Sequence, residues 1–363
     1  MPTLISALVE GRLVPDFPKA GDPLALAAAT LYLPTRRACR LARDVFLDVL
    51  KGEAAILPRI VALGDIDEDE IAFAEAATGA LAEEALMLKE AIRDSERDLL
   101  LAQLILKWTE GLDPGEGAPL VAGNPATALA LARDLARLID DMITRKVPWE
   151  KLDGLVPDNV DQYWQATLRF LKVAREHWPA LLESHGMTDP AARRDALLVA
   201  EVARLQNHPS PVIAAGSTGS MPATATLLTA IASLPRGAVV LPGLDTELDE
   251  QSWRAIGGER DGDGRETATA AAGHPQFSMQ ALLRDMKIDR EAVTILGEQP
   301  AYSRDAFVSE ALRPAAATDM WPQRISRADF SQHIDAATAN LLVIEAAHAE
   351  EEALAIAVAL REA

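Results

Sequence analysis

TLYLPTRRACRLARDVF, residues 30–46, decides the fold. It opens with the run 30–33, which contains no charged residue and has the length of a buried strand, and a Pro-Thr turn follows. From residue 36 the apolar residues recur at helical spacing, which predicts a helix over 36–50. A strand followed directly by a helix is the unit from which parallel sheets are built.

Three further short apolar runs read as strands: VIAA at 212–215, AVVL at 238–241 and NLLVI at 340–344. Pro, Gly or polar residues bound each run, and continuous apolarity is typical of strands that are buried on both faces. Helices are predicted after two of them, over 222–233 and 349–361. The sequence therefore predicts an α/β protein with a parallel sheet that contains 30–33, 212–215 and 238–241.

About 180 residues separate the first two of these strands, whereas a crossover connection needs only a dozen or more. This interval is rich in Ala, Leu and charged residues and has few strand signals, so we expect an inserted all-helical domain. Its predicted helices are 68–95, 98–110, 125–146 and 160–184. Within the third of them, the apolar residues Leu129, Leu135 and Ile139 recur at helical spacing.

The composition excludes several classes of protein. The chain has 363 residues and a formal net charge of −20, which disfavours a free-standing nucleic-acid binder. Cys39 is the single cysteine, so no internal disulfide and no cysteine-based zinc spacing can form. A basic leader and an apolar run of about 18 residues are both absent, and we expect a cytoplasmic protein without a membrane partner. The acidic loop at 257–264 does not have the spacing of a calcium loop.

No segment fits the phosphate loop G-x-x-x-x-G-K-[ST] of ATPases. The glycine-rich segment Gly216–Ser220 has no lysine, and Ser217 does not lie in G-x-S-x-G. We interpret this segment as a strand-to-helix turn. A lone phosphate at the following helix N-terminus and an uncharacterised hydrolase remain alternatives.

The densest basic cluster lies at the start of the first predicted helix and comprises Arg36, Arg37, Arg40 and Arg43. Positions 36, 40 and 43 share one helix face, and the apolar residues 41, 45 and 46 are expected on the other. Such a basic face suits the phosphates of a nucleic-acid strand. Alternatively, these arginines pair with Asp44 and with acidic residues elsewhere.

Four segments, in order along the chain, resemble the AddB family, the nuclease–helicase-like subunits of the bacterial AddAB double-strand-break repair complex, in the alphaproteobacterial form. The segments are 31–46, PVIAAGSTGSMPATATLLTAIASLPRGAVVLPGLD at 211–245, HPQFSMQALLRDM at 274–286 and LLVIEAAHAEEEALAIAVALRE at 341–362. The resemblance spans nearly the whole chain. It implies a degenerate helicase core of superfamily 1, of the UvrD type, with the inserted helical domain.

In active helicases of this type the second strand ends in Asp-Glu, and Gln-Asp-Thr follows. Here the corresponding segment is a degenerate nucleotide site made of Ala215, Gly216, Ser217, Thr218, Gly219 and Ser220. It lacks the magnesium-binding aspartate and the catalytic glutamate, so the resemblance implies that this chain has no ATPase activity. Some AddB proteins retain an ATP-binding loop, and this chain shows none.

The resemblance also implies that Thr35, Arg36, Arg37 and Arg40 contact single-stranded DNA. The expected partners are an AddA-type helicase–nuclease subunit and a single DNA strand, during end resection and hotspot scanning. No cofactor is expected in this chain, because the family's iron–sulfur cluster and magnesium belong to a C-terminal nuclease domain. The alternative is a scaffold that docks AddA without contacting DNA.

The resemblance divides the chain into four parts. Residues 1–70 and 191–320 would form the two halves of the α/β core, and 71–190 the helical insertion. Residues 321–363 would begin a second core domain. The last predicted helix has neither a glycine cap nor a polar tail, so we expect the chain to be cut short there.

Overall fold

The computed structural model describes residues 1–18, 22, 24–51, 55–63, 88–110, 124–153, 167, 170–206, 208–260, 266–297, 304–339 and 341–362. These residues form two compact units. The first unit comprises Met1–Gly243 and Ala281–Asp289, and the second comprises Leu244–Gln280 and Arg290–Ala363. The division into four parts at 70, 190 and 320 stays a prediction.

The first unit combines a parallel sheet with many helices. Its described helices are α1 (Pro2–Val9), α2 (Arg36–Leu50), α3 (Asp94–Glu110), α4 (Pro125–Thr144), α5 (Glu150–Asp153), α6 (Trp178–His185), α7 (Pro190–Leu205) and α8 (Pro222–Ala232). Its described strands are β1 (Thr30–Leu33), β2 (Arg59–Ala62), β3 (Glu90–Ala91), β4 (Met187–Thr188), β5 (Val212–Ala215) and β6 (Gly237–Val240).

Four of these strands form one sheet in the order β2-β1-β5-β6, and all neighbours are parallel. Thr30 lies opposite both Arg59 and Val212. The predicted α/β class and the parallel sheet through 30–33, 212–215 and 238–241 are confirmed, with the last strand shifted by one residue. The strand β2 was not predicted from the sequence.

Helices cover both faces of the sheet. Tyr32, Val212 and Ala214 point into a core that α7 and α8 close with Leu198, Leu227 and other buried residues. The helix α2 buries Cys39, Ala42, Val45 and Phe46 and contacts β1 and β2. Because parallel crossovers are right-handed, α2, which leads from β1 to β2, and α8, which leads from β5 to β6, cover opposite faces.

The long interval between β2 and β5 has a core of its own. The helices α3, α4 and α6 contribute Leu101, Ile105, Leu135, Ile139 and Trp178 to it. The described residues between 88 and 190 add no strand to the large sheet, and β3 pairs with β4 in a separate two-stranded parallel sheet. The described part of the interval is therefore mostly helical, whereas the inserted domain stays a prediction.

Two of the predicted helices in this interval lie partly outside the described residues. The helix predicted over 68–95 lies outside the described residues as far as 87, and its described part is wrong, because 88–93 is not helical. Glu90–Ala91 forms β3 instead, which pairs with β4, and α3 begins at Asp94. For the helix predicted over 160–184, residues 160–166 and 168–169 lie outside the described part. Residues 261–264 of the acidic loop also lie outside it.

The second unit is built mainly from short helices. Its described elements are α9 (Glu250–Gly257), β7 (Glu259–Arg260), β8 (Glu266–Ala268), the first part of α10 (Phe277–Met286), α11 (Arg304–Ala311), α12 (Trp321–Ile325), α13 (Ala328–Thr338) and α14 (Ala349–Glu362). The strands β7 and β8 form an antiparallel pair. A ring of two arginines and two acids, Asp249, Glu310, Arg313 and Arg324, links α11 and α12 to the start of α9.

The strand predicted over 340–344 is wrong for its described residues, 341–344, which form no strand. An apolar run becomes a strand only where a neighbouring strand completes its hydrogen bonds, and no described residue does so here. The helix predicted over 349–361 is confirmed as α14. Among the described residues, no helix is long and apolar enough to cross a membrane.

Candidate functional site

The candidate site lies at the carboxyl edge of the large sheet, where β1 and β5 are neighbours. After β1 the chain turns through Pro34 into α2, and after β5 it turns through 216–221 into α8. These two connections leave the sheet on opposite faces, so a crevice is expected between them. Ligands of open α/β sheets typically bind in such a crevice.

The two turns touch each other. A Cβ added at Gly216 would lie 3.4 Å from Cδ and Cγ of Pro34, and Gly216 has a positive φ of +81°. Glycine suits this position because it adopts a left-handed conformation without strain and leaves room for the neighbouring turn. The structure therefore brings Thr35 and the segment 215–220, which lie 180 residues apart in sequence, to one edge of the sheet.

Thr35 is the N-cap of α2. Its Oγ1 accepts a hydrogen bond from the Ala38 N–H at 3.1 Å, which satisfies one of the free donors of the first helical turn. The cap fixes the residue at which α2 begins. It thereby places the arginines that follow close to the sheet edge. Thr35 is itself exposed.

Arg36, Arg37, Arg40 and Arg43 are all exposed. No ion pair joins Arg37, Arg40 or Arg43 to any acid among the described residues, and Asp44, one helical turn after Arg40, is also exposed. The alternative in which these three arginines pair with Asp44 or with distant acids therefore has no support from the described part of the chain. We call these four residues the basic face of α2.

The basic face follows the long axis of α2. Arg36 and Arg43 are seven positions apart, which corresponds to about 10 Å along a helix that rises 1.5 Å per residue. The buried face consists of Cys39, Ala42, Val45 and Phe46. Leu41, which the sequence placed on that buried face, is 49% exposed instead, because it lies at its margin. Arg43 is exposed like the others, and its spacing of three from Arg40 already signalled that it belongs to this surface.

The charges of α2 oppose its helix dipole. No acidic residue occupies its first turn, and no basic residue occupies its last turn. Arg36 and Arg37 instead stand at the end that carries the positive partial charge, where cations are destabilising. The interaction with the helix dipole therefore does not explain why arginines occupy these positions.

The segment 215–220 has the geometry of a turn without charged groups. Ala215 is buried at the end of β5, and Gly219 has a φ of +67°. Ser217 Oγ accepts a hydrogen bond from the Gly219 N–H at 3.3 Å. The segment contains no carboxylate that could bind magnesium or activate a water molecule.

In the described part of the chain, no group of three His, Cys, Asp or Glu side chains is arranged to bind a metal ion. Several of the titratable groups with clearly shifted pKa values belong to clusters of hydrogen bonds and ion pairs outside α2. Tyr32, Glu201 and Arg204 form one such cluster beneath the sheet. Sequence reasoning missed these clusters, because no local spacing connects residues that are so far apart in the chain.

No family model matches this chain, and no curated protein matches it either. The class that the structure itself defines is a mixed α/β protein, mostly helical, with a four-stranded parallel sheet and an arginine-rich helix at its carboxyl edge.

Proposed function

We propose that this chain is a non-catalytic, helicase-like region that binds the phosphate backbone of single-stranded DNA through Thr35, Arg36, Arg37 and Arg40. One observation carries the proposal. The basic face of α2 is exposed, it lies at the carboxyl edge of a parallel sheet, and three of its arginines make no ion pair with any described residue.

The charge balance supports a local site rather than a general affinity for nucleic acid. With a net charge of −20, most of the surface repels phosphates, so only a concentrated positive patch can bind them. Single-stranded binding sites combine such a positive surface with bases that remain free or stack on aromatic rings. On α2 the aromatic Phe46 is buried, so the contact that we propose is with phosphates and does not depend on base sequence.

The absence of acidic side chains from 215–220 supports the non-catalytic part of the proposal. Under the resemblance to the AddB family, Ala215–Ser220 is a degenerate nucleotide site, and an AddA-type subunit supplies the ATP-driven movement. This chain would then guide a DNA strand during end resection and hotspot scanning in the cytoplasm.

A protein scaffold that docks its partner without contacting DNA is the second candidate. It is favoured by the exposed apolar residues of 341–344 and α14, among them Leu342 at 80% and Leu360 at 74% exposure. Exposed apolar surface of this kind typically marks a protein interface. Under the first candidate, DNA binding requires the basic face of α2. Under the second candidate, docking of the protein partner does not require it.

Fluorescence anisotropy of a labelled single-stranded oligonucleotide tests the proposal. The variant Arg36→Ala/Arg37→Ala/Arg40→Ala should bind at least tenfold more weakly than the natural chain. The matched control is Arg133→Ala/Arg137→Ala/Arg145→Ala, which removes the same charge from two exposed positions of α4 and from its exposed C-cap residue. If both variants lose affinity equally, general charge explains the binding, and if neither loses any, the scaffold is the better account.

A further inference from the structure

The exposed side of α2 consists of two rows of residues that differ in charge. Positions 36, 40, 43 and 47 form the first row, and positions 37, 41, 44 and 48 form the second. Within each row the residues are three or four positions apart, so they lie one above the other along the helix. The two rows are about 100° apart around the helix axis, because each residue turns an α-helix by that angle.

The first row is basic and contains no acid. Arg36, Arg40 and Arg43 occupy it, and all three side chains are exposed. They span about 10 Å along the helix at 1.5 Å per residue. This row therefore suits phosphates that follow one another along the helix axis.

The second row begins with Arg37 but is acidic in its second half. Asp44 and Asp48 occupy its last two positions, and both side chains are exposed. No ion pair joins either carboxylate to a cation in the described part of the chain. The helix dipole does not explain Asp48, because it lies two residues before the end of α2, where the partial charge is negative. We call Asp44 and Asp48 the acidic pair of α2.

A basic patch alone does not favour a single strand over a duplex. Duplex DNA carries one negative charge per about 1.7 Å of its axis, so it is attracted to a basic patch at least as strongly as a single strand. Its major groove is about 12 Å wide, and an α-helix with its side chains is about 10–12 Å across. When one flank of such a helix contacts one backbone, the other flank therefore faces the second backbone. On α2 that second flank carries the acidic pair.

We propose that Asp44 and Asp48 reject duplex DNA, so that the basic face of α2 accepts one strand only. The inference rests on the proposed DNA contact and identifies what determines its substrate class. A single strand follows the first row and leaves the acidic pair in solvent. A duplex brings its second backbone against two carboxylates, and like charges repel. Selectivity of this kind comes from a repulsive element that acts against the wrong ligand.

Fluorescence anisotropy of single-stranded and duplex oligonucleotides that share one labelled strand tests the proposal. At about 0.05 M salt, where screening is weak, the natural chain should bind the single strand more tightly. The variant Asp44→Asn/Asp48→Asn should bind the duplex about tenfold more tightly than the natural chain does, and the single strand less than about threefold more tightly. The matched control Glu350→Gln/Glu352→Gln removes the same charge from exposed positions of α14 and should leave the ratio of the two affinities unchanged.

A conservative variant separates the charge of the acidic pair from its shape. Asp44→Glu/Asp48→Glu keeps both charges and should keep the preference for the single strand. Circular dichroism equal to that of the natural chain shows that α2 is intact in each variant.

Two results overturn the inference and leave the proposed function standing, provided that the single strand still binds through Arg36, Arg37 and Arg40. One is a natural chain that binds the duplex as tightly as the single strand. The other is an Asp44→Asn/Asp48→Asn variant whose affinity for both forms of DNA rises equally or does not change. A natural chain that binds neither oligonucleotide overturns both the inference and the proposed function.

Discussion

The phenol of Tyr32 donates a hydrogen bond to the carboxylate of Glu201, which lies 169 positions later in the chain. Arg204 pairs with the same carboxylate at 2.7 Å. Burial and the neighbouring Glu201 raise the pKa of Tyr32 far above its ordinary value. Burial alone would raise the pKa of Glu201 too, but the hydrogen bond and the charge of Arg204 outweigh it and lower that pKa. The cluster fastens α7 to the face of β1.

Replacing Tyr32 with Phe should destabilise the fold by about 1.5–3 kcal/mol, the usual contribution of a hydrogen bond to a charged group. The ring remains buried, so packing is kept and the loss reports the hydrogen bond. The measurement is urea unfolding at neutral pH, with unchanged dependence on urea as the sign that the fold is the same. A change below about 0.5 kcal/mol would show that this bond does not stabilise the fold.

A second buried cation holds the helical core together. Arg97, at 4% exposure, donates two hydrogen bonds of 2.9 Å to Asp140 and lies 3.1 Å from Asp189. Asp189 also accepts a hydrogen bond from Trp178 Nε1. Removing one partner from a buried ion pair leaves an uncompensated charge, so Arg97→Met should cost about 3–5 kcal/mol of folding free energy.

The pH dependence of Arg97→Met checks this cause. Burial raises the pKa of Asp189 even in the presence of Arg97, and without that cation it should rise further. A carboxyl whose pKa is higher in the folded state than in the unfolded state gains stability as pH falls through the folded value. The deficit of Arg97→Met should therefore be smaller at pH 5 than at pH 7.5, and Arg97→Met/Asp189→Asn should recover part of it. An equal deficit at both pH values would contradict the buried charge as its cause.

The ion-pair ring of the second unit predicts acid sensitivity. Burial alone would raise the pKa of Asp249, but hydrogen bonds from Arg313 and from Ser252 lower it to about 2, from 3.8. The stability that the ionised carboxylate supplies is present above about pH 4 and is lost as pH falls towards 2. Because more than a third of this side chain is exposed, solvent screening keeps the effect below about 2 kcal/mol.

Urea unfolding of the natural chain and of Asp249→Asn between pH 6 and pH 2.5 measures this effect. The natural chain should be more stable at pH 6, and the difference should disappear as the pH approaches 2. A constant difference across that range would mean that Asp249 contributes through its shape or its neutral hydrogen bonds, and not through its charge.

The local elements of the fold could be predicted from sequence. The helix α2 begins at the residue where the pattern of 30–46 placed it, because Thr35 caps it and its apolar residues recur at helical spacing. The run Ile60–Leu63 after Pro58 carried the same kind of signal for β2, but it was not recognised as a strand. The run 341–344 shows the opposite error, since an apolar run is a strand only when a partner strand completes its hydrogen bonds.

The candidate site was predictable only in part. Arg36, Arg40 and Arg43 are spaced by four and three residues, so their spacing alone indicates a shared helix face. The proximity of Gly216 to Pro34 depends on which strands are neighbours in the sheet. No local sequence pattern indicates that strand order. The pairing of Tyr32 with Glu201, and of Arg313 with Asp249, likewise depends on tertiary packing. In a chain with 55 acidic residues, the sequence does not indicate which acid is the partner.

The segment 215–220 predicts that the chain neither binds ATP tightly nor hydrolyses it. The segment contains no lysine, aspartate or glutamate, so it lacks the ammonium group and the carboxylates with which ATPases hold nucleotide phosphates and magnesium. A phosphate-release assay with the full chain and magnesium should give no turnover above background. Turnover that disappears on mutating 212–220 would contradict the non-catalytic account, whereas weak binding of an anion at the turn would not.

The most direct test of the proposed DNA contact is a salt titration of single-stranded oligonucleotide binding. Each phosphate neutralised contributes about 0.7 to the slope of log K against log salt, so three arginines predict a slope of about −2. Arg36→Ala/Arg37→Ala/Arg40→Ala should bring the slope close to zero, both in the isolated chain and in a complex with an AddA-type subunit. Unchanged affinity and slope in both settings, with the fold intact, would contradict the claim that this face binds DNA.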